Sequence, residues 1–118
     1  MKRIMVVDDA SFMRATLKTM LEKNGFVVVA EAEDGNEAIE KYGEIKPDIV
    51  TMDITMPKLG GLEALKGIME ADPKAKVLMV SAMGQEDKVR QAIMFGARSF
   101  VVKPFKEEQL IKVLHQIG

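Results

Sequence analysis

Five short apolar runs recur along the chain: "IMVV" at 4–7, "VVVA" at 27–30, "IVTM" at 49–52, "VLMV" at 77–80 and "FVV" at 100–102. They are nearly continuous rather than alternating, and that is how strands covered on both faces read, as in a parallel sheet. The runs predict strands over Arg3–Val7, Val27–Ala32, Ile49–Asp53, Lys76–Ser81 and Ser99–Val102. Helical patterns fill every interval. The first runs from about Phe12 to Asn24, with Ser11 as its N-cap and Gly25 just past its end. Others are expected near Asn36–Tyr42, Leu62–Ala71 (closed by Asp72–Pro73), Asp87–Phe95 and Glu107–Ile117. In the last, Leu110, Val113, Leu114 and Ile117 form a one-sided apolar stripe.

Strict alternation gives (βα)5. Right-handed crossovers then place helices on both faces of an open sheet. The expected fold is α/β: a doubly wound three-layer sandwich, flavodoxin-like, with parallel strand order 2-1-3-4-5. At 118 residues the chain is expected to be one domain, 1–118, with no output domain.

Composition narrows the function classes. A net charge of −1, with Lys and Arg scattered, offers no basic stripe for nucleic acid. No apolar run approaches the roughly 20 residues of a membrane span, and acidic residues follow the N-terminus too soon for a signal peptide. Without cysteine there are no disulfides and no thiolate metal sites, so a cytoplasmic protein is expected. Ten Met against five Phe, one Tyr and no Trp read as gap-fillers of an adaptable core rather than as a Met-lined groove.

In a sheet of this order ligands bind beyond the carboxyl ends of the strands, beside the switch point between strands 1 and 3. Strand 1 ends in Asp8 and Asp9, strand 3 in Asp53, strand 4 in Ser81 and strand 5 in Lys103. Strand 2 ends in the acidic stretch Glu31–Glu33, outside the switch point. Three carboxylates in one crevice make a poor anion site and a good divalent-cation site. Oxygen ligands without Cys or clustered His favour Mg2+ over zinc. A cation also explains how the neighbouring charges of Asp8 and Asp9 can coexist. An aspartate can attack phosphorus to form an aspartyl-phosphate, and Asp53, ending the central strand, is the best-placed nucleophile. Lys103 can neutralise charge and hold a tetrahedral anion, and the Ser81 hydroxyl can bond a phosphoryl oxygen.

Taken singly these residues have plainer uses. Asp9 suits a helix N-terminus, Ser81 a turn, and Lys103 a solvated surface. Their coincidence at one sheet edge argues otherwise. His115, in the last turn of the last helix, suits the helix dipole and takes no catalytic role.

"VVDD", "TMDITMP", "SAMG" and "FVVKPF", in this order and spacing, resemble the receiver domain of two-component response regulators over essentially the whole chain. "DDASFMR" and "SAMGQ" look most like the stand-alone chemotaxis regulators of the CheY type. The resemblance implies Asp53 as phosphoacceptor, Asp8 and Asp9 as the acidic pair for Mg2+, and the backbone carbonyl of Thr55 as a further metal ligand. It implies Ser81 and Lys103 as the groups that grip the phosphoryl, and a cis bond at Lys103–Pro104. Ser81 and Phe100 would be the switch pair. Phe100 stands where chemotaxis receivers often carry Tyr, and it has no hydroxyl to bond a partner. Met83 is apolar where some receivers carry a polar group that positions water, which implies slow spontaneous dephosphorylation and a dedicated phosphatase.

The implied protein is no enzyme toward an outside substrate; it accepts a phosphoryl group from a histidine kinase and slowly loses it. Its partners would be that kinase, a flagellar motor switch protein and a phosphatase, reached through a changed surface of helix 4, strand 5 and helix 5. A receiver from a phosphorelay or a transcription factor remains an alternative. A haloacid-dehalogenase-type phosphatase wants a second Asp two residues after the nucleophile, where Thr55 stands. A flavin or nucleotide protein wants a phosphate-cradling loop after strand 1, where "DDASFMR" puts negative charge.

Overall fold

A computed structural model describes residues 1–118. The strands are β1 (Arg3–Val7), β2 (Val27–Ala32), β3 (Ile49–Asp53), β4 (Val77–Ser81) and β5 (Ser99–Val102). The helices are α1 (Ser11–Lys23), α2 (Gly35–Ile45), α3 (Gly61–Ala71), α4 (Glu86–Met94) and α5 (Glu107–Ile117). All strand pairs are parallel, in the order β2-β1-β3-β4-β5, as the alternation of runs predicts.

The sheet divides the core into two layers. On one face Met5, Val7, Val50, Met52, Val77 and Met79 pack with Ala38 and Tyr42 of α2, Leu65 and Ile68 of α3, and Val89 and Ala92 of α4. On the other, Ile4, Val6, Ile49, Leu78 and Val80 meet Leu17 and Leu21 of α1 and Leu110 and Leu114 of α5. Residues of β1, β3 and β4 therefore bury both alternating sets, which is why their sequences show no polar alternation. The edge strands are less covered: Val27 to Glu31 are half-buried, and Phe100 on β5 is 43% exposed. Met5, Met52 and Met79 fill the core as expected, but Met83 and Met94 lie on the surface, 77% and 83% exposed.

Several boundaries differ from the sequence reading, most by a single residue. Ser11 is the first helical residue, not the N-cap; Ala10 holds the cap position, with extended backbone and no side-chain cap bond. The Asp8 carboxylate takes over part of that task by accepting from the Ala10 N–H at 2.9 Å. Helix α2 starts at Gly35, capped by Asp34 Oδ1 accepting from the Glu37 N–H at 2.9 Å, and it continues past Gly43 to Ile45. Strand β4 begins at Val77 rather than Lys76. The Lys103–Pro104 bond is cis. No helix is long and apolar enough to cross a membrane.

Candidate functional site at the carboxyl edge of the sheet

The last ladder bonds of β1 and β3 run into the site. Asp8 N–H donates to Ala32 O at 3.0 Å, and Ile54 N–H donates to Val80 O at 3.2 Å, so both strand ends are held on their neighbours. Asp8, Asp53 and Ser81 are buried, whereas Asp9 faces solvent. Lys103, from the loop after β5, sets its Nζ 3.1 Å from Asp8 Oδ2 and 3.6 Å from Asp53 Oδ1. Asp8, Asp9, Asp53 and Lys103 converge as predicted, and Ser81 ends the adjacent strand one residue beyond the Val80–Asp53 pair. Thr55 follows two residues after Asp53, and its hydroxyl accepts from Gln85 Nε2 at 2.8 Å.

Carboxylate oxygens of Asp8, Asp9 and Asp53 lie within 4.8 Å of one another. At about 5 Å and an effective dielectric near 20, each like-charge pair repels by roughly 3 kcal/mol. One ammonium among three carboxylates leaves a formal charge of −2. Burial pushes the Asp53 carboxyl up to about 6; Lys103 opposes this, Asp8 and Asp9 add to it, and a backbone hydrogen bond from Ile54 opposes it again. An all-oxygen donor set with a double negative excess fits a hard divalent cation, which would relieve the repulsion directly.

Several residues that organise the pocket carried no signal in the sequence reading. Arg14, from the first turn of α1, donates from Nη1 to Asp8 O at 2.7 Å and from Nε to Glu31 Oε1 at 3.1 Å, fixing the end of β1. Gly61 opens α3 against the end of β3: a Cβ there would stand 2.1 Å from Asp53 O and 2.8 Å from Ile54 Cα. Only glycine fits that approach. Gln85 bridges two loops, accepting from the Ala82 N–H at 2.7 Å through Oε1 while it donates to Thr55. Beside it, Ser81, Met83, Val89, Ile93, Met94 and Phe100 line an apolar groove between α4 and β5.

Residues 4–115 match the response regulator receiver domain family. The chain belongs to that family. It is 52% identical over 117 residues to the chemotaxis protein CheY of Thermotoga maritima, covering 99% of this chain and 98% of that one. It is 53% identical over 114 residues to the chemotaxis protein CheY of Bacillus subtilis, covering 97% and 95%. A chain in the crystal structure of the CheX–CheY–BeF3–Mg2+ complex of Borrelia burgdorferi superposes with a TM-score of 0.94 at 37% identity, over 98% of this chain and 88% of that one. This receiver is thus closely similar to CheY chemotaxis regulators, signalling proteins of two-component systems.

Proposed function

We propose that this receiver is a chemotaxis response regulator whose Asp53 accepts a phosphoryl group from a phosphohistidine of its kinase. The observation that carries the reading is the position of Asp53: buried at the end of the central strand, with Lys103 3.6 Å away and Asp8 and Asp9 completing an acidic cluster. Asp8, Asp9, Asp53 and the Thr55 carbonyl would hold Mg2+, which supplies charge neutralisation when bound.

The carboxylate oxygen of Asp53 attacks phosphorus, a P–O bond forms, and the P–N bond to the imidazole breaks with the electron pair leaving on nitrogen. Lys103 stays beside the transferred group and offsets its charge. Ser81, ending the neighbouring strand, donates its hydroxyl to a phosphoryl oxygen. Its movement opens room for Phe100, now 43% exposed at the rim of the α4–β5 groove, to turn inward. A hydrogen bond to a charged group is worth about 1.5–3 kcal/mol. A tenfold population shift needs about 1.4 kcal/mol. One or two such bonds therefore bias a two-state surface without locking it.

The changed surface of α4, β5 and α5 would dock a flagellar motor switch protein. A dedicated phosphatase would reset it, because neither Thr55 nor Met83 is suited to activate water. The protein acts in the cytoplasm and turns over no outside substrate. A phosphatase of the haloacid-dehalogenase type is disfavoured, since Thr55 offers no carboxyl and its hydroxyl is engaged by Gln85.

Incubation with acetyl phosphate and Mg2+ should add one phosphoryl group by intact mass, and Asp53→Asn should abolish it. Unchanged labelling of Asp53→Asn would refute the assignment.

A further inference from the structure

Two loops flank the mouth of the acidic pocket: the β3–α3 loop carrying Thr55, and the β4–α4 loop carrying Ala82. One side chain joins them. Gln85, at the N-cap position of α4, accepts from the Ala82 N–H through Oε1 at 2.7 Å and donates through Nε2 to the Thr55 hydroxyl at 2.8 Å. The orientation of this carboxamide is forced, because the Ala82 N–H can only donate and so requires the oxygen, which turns the NH2 toward Thr55. The α4 N-terminus needs no such arrangement for its own capping, since Gln85 makes no side-chain bond to the helix's first-turn N–H groups. Its bonds go instead across the pocket's rim.

We propose that Gln85 is a strap that holds the unphosphorylated receiver open, by occupying the Ala82 N–H that a phosphoryl oxygen on Asp53 would otherwise claim. The proposal rests on Asp53 as phosphoacceptor. Val80 pairs with Asp53 across the β3–β4 ladder, so Ser81 and Ala82 are the next positions outward beside it. Three new phosphoryl oxygens at the end of β3 require donors. Lys103 supplies charge from one side, and the segment Ser81–Ala82, next outward on the neighbouring strand, can supply donors from the other. For Ala82 to serve, its N–H must exchange Gln85 Oε1 for phosphate, and the bond to Thr55 is released with it. The strap thus opposes closure of the β4–α4 loop, and Gln85 is a positioning residue that sets the equilibrium rather than a group that touches phosphorus in the transfer.

Losing one neutral hydrogen bond on closure corresponds to roughly a three- to tenfold effect on the affinity for a phosphoryl mimic. The probe is beryllofluoride titrated into the Mg2+-loaded protein, followed by calorimetry and by the amide resonance of Ala82. Gln85→Met, which keeps the side-chain length but makes no strap, should bind beryllofluoride about three- to tenfold more tightly than wild type. In that variant the free-state Ala82 resonance should move upfield, while the Mg2+ isotherm stays where it was. Gln85→Glu, whose carboxylate accepts from Ala82 more strongly and repels an anion, should bind it more weakly than wild type. A Gln85→Met protein that binds beryllofluoride no better than wild type, while wild type binds it and Asp53→Asn does not, overturns the strap and leaves the phosphoacceptor standing. Failure of wild type itself to take up beryllofluoride overturns the phosphoacceptor, and the strap with it.

Discussion

Asp53 carries a charge that its burial makes costly. Its carboxyl titrates near 6, against about 3.9 for an unfolded aspartate. A raised folded value means that its contribution to stability is fully present below about pH 3.9 and is lost as pH rises through 6. In chelator, Asp53→Asn should therefore match wild type near pH 3.5 and exceed it above pH 6. The gain should be on the order of 1–2 kcal/mol, after allowance for the water that reaches the pocket mouth. Urea melts at the two pH values measure it, and an Asn variant no more stable than wild type at pH 7 would contradict the assigned cost of burying this charge. The position of Asp53 at the sheet edge was readable in the sequence because it ends a continuous apolar run, as do Asp8, Ser81 and Lys103. Gln85 was not, because a polar residue at a helix start reads as solvent-facing, and only the fold brings Thr55 to it. Arg14 was hidden for the same reason.

Among the elements, most boundaries fall within a residue of where the local sequence puts them. Helix α2 is the exception that explains itself. Gly43 favours an end at Tyr42, yet the helix continues because Arg3, from β1, donates through Nη1 to Lys46 O at 2.9 Å and through Nη2 to Ile45 O at 3.0 Å. Those bonds satisfy terminal carbonyls from more than 40 residues away, which no local pattern can announce. At the β3–α3 junction the constraint is steric. Gly61→Ala would drive a methyl into backbone atoms of Asp53 and Ile54 and should cost about 1–3 kcal/mol, lowering the urea midpoint without changing the slope. Gly43→Ala, with nothing within 4 Å of its added carbon, is the control and should be stabilising by about 0.5–1 kcal/mol. A neutral Gly61→Ala would mean that the strand end and α3 can part freely, and with them the geometry of Asp53.

Across the whole molecule, anchoring is uneven in a way that suits signalling. Helix α3 buries Gly61, Ala64, Leu65 and Ile68, whereas α4 buries only Val89 and Ala92 of its nine residues. It leaves Ile93 and Met94 exposed beside Phe100. An element held by few buried side chains is one that a modest free-energy change can shift. In the proposed function that change originates at Asp53 and reaches α4 through Ser81 and the loop that Gln85 straps. The pocket can perform this role only if three carboxylates share a cation, since one lysine leaves them two charges in excess. Calorimetric titration of Mg2+ into wild type and Asp9→Ala tests this most directly. One saturable site in wild type, lost or strongly weakened in Asp9→Ala, is expected; no uptake by wild type, or uptake that Asp9→Ala leaves unchanged, would contradict it.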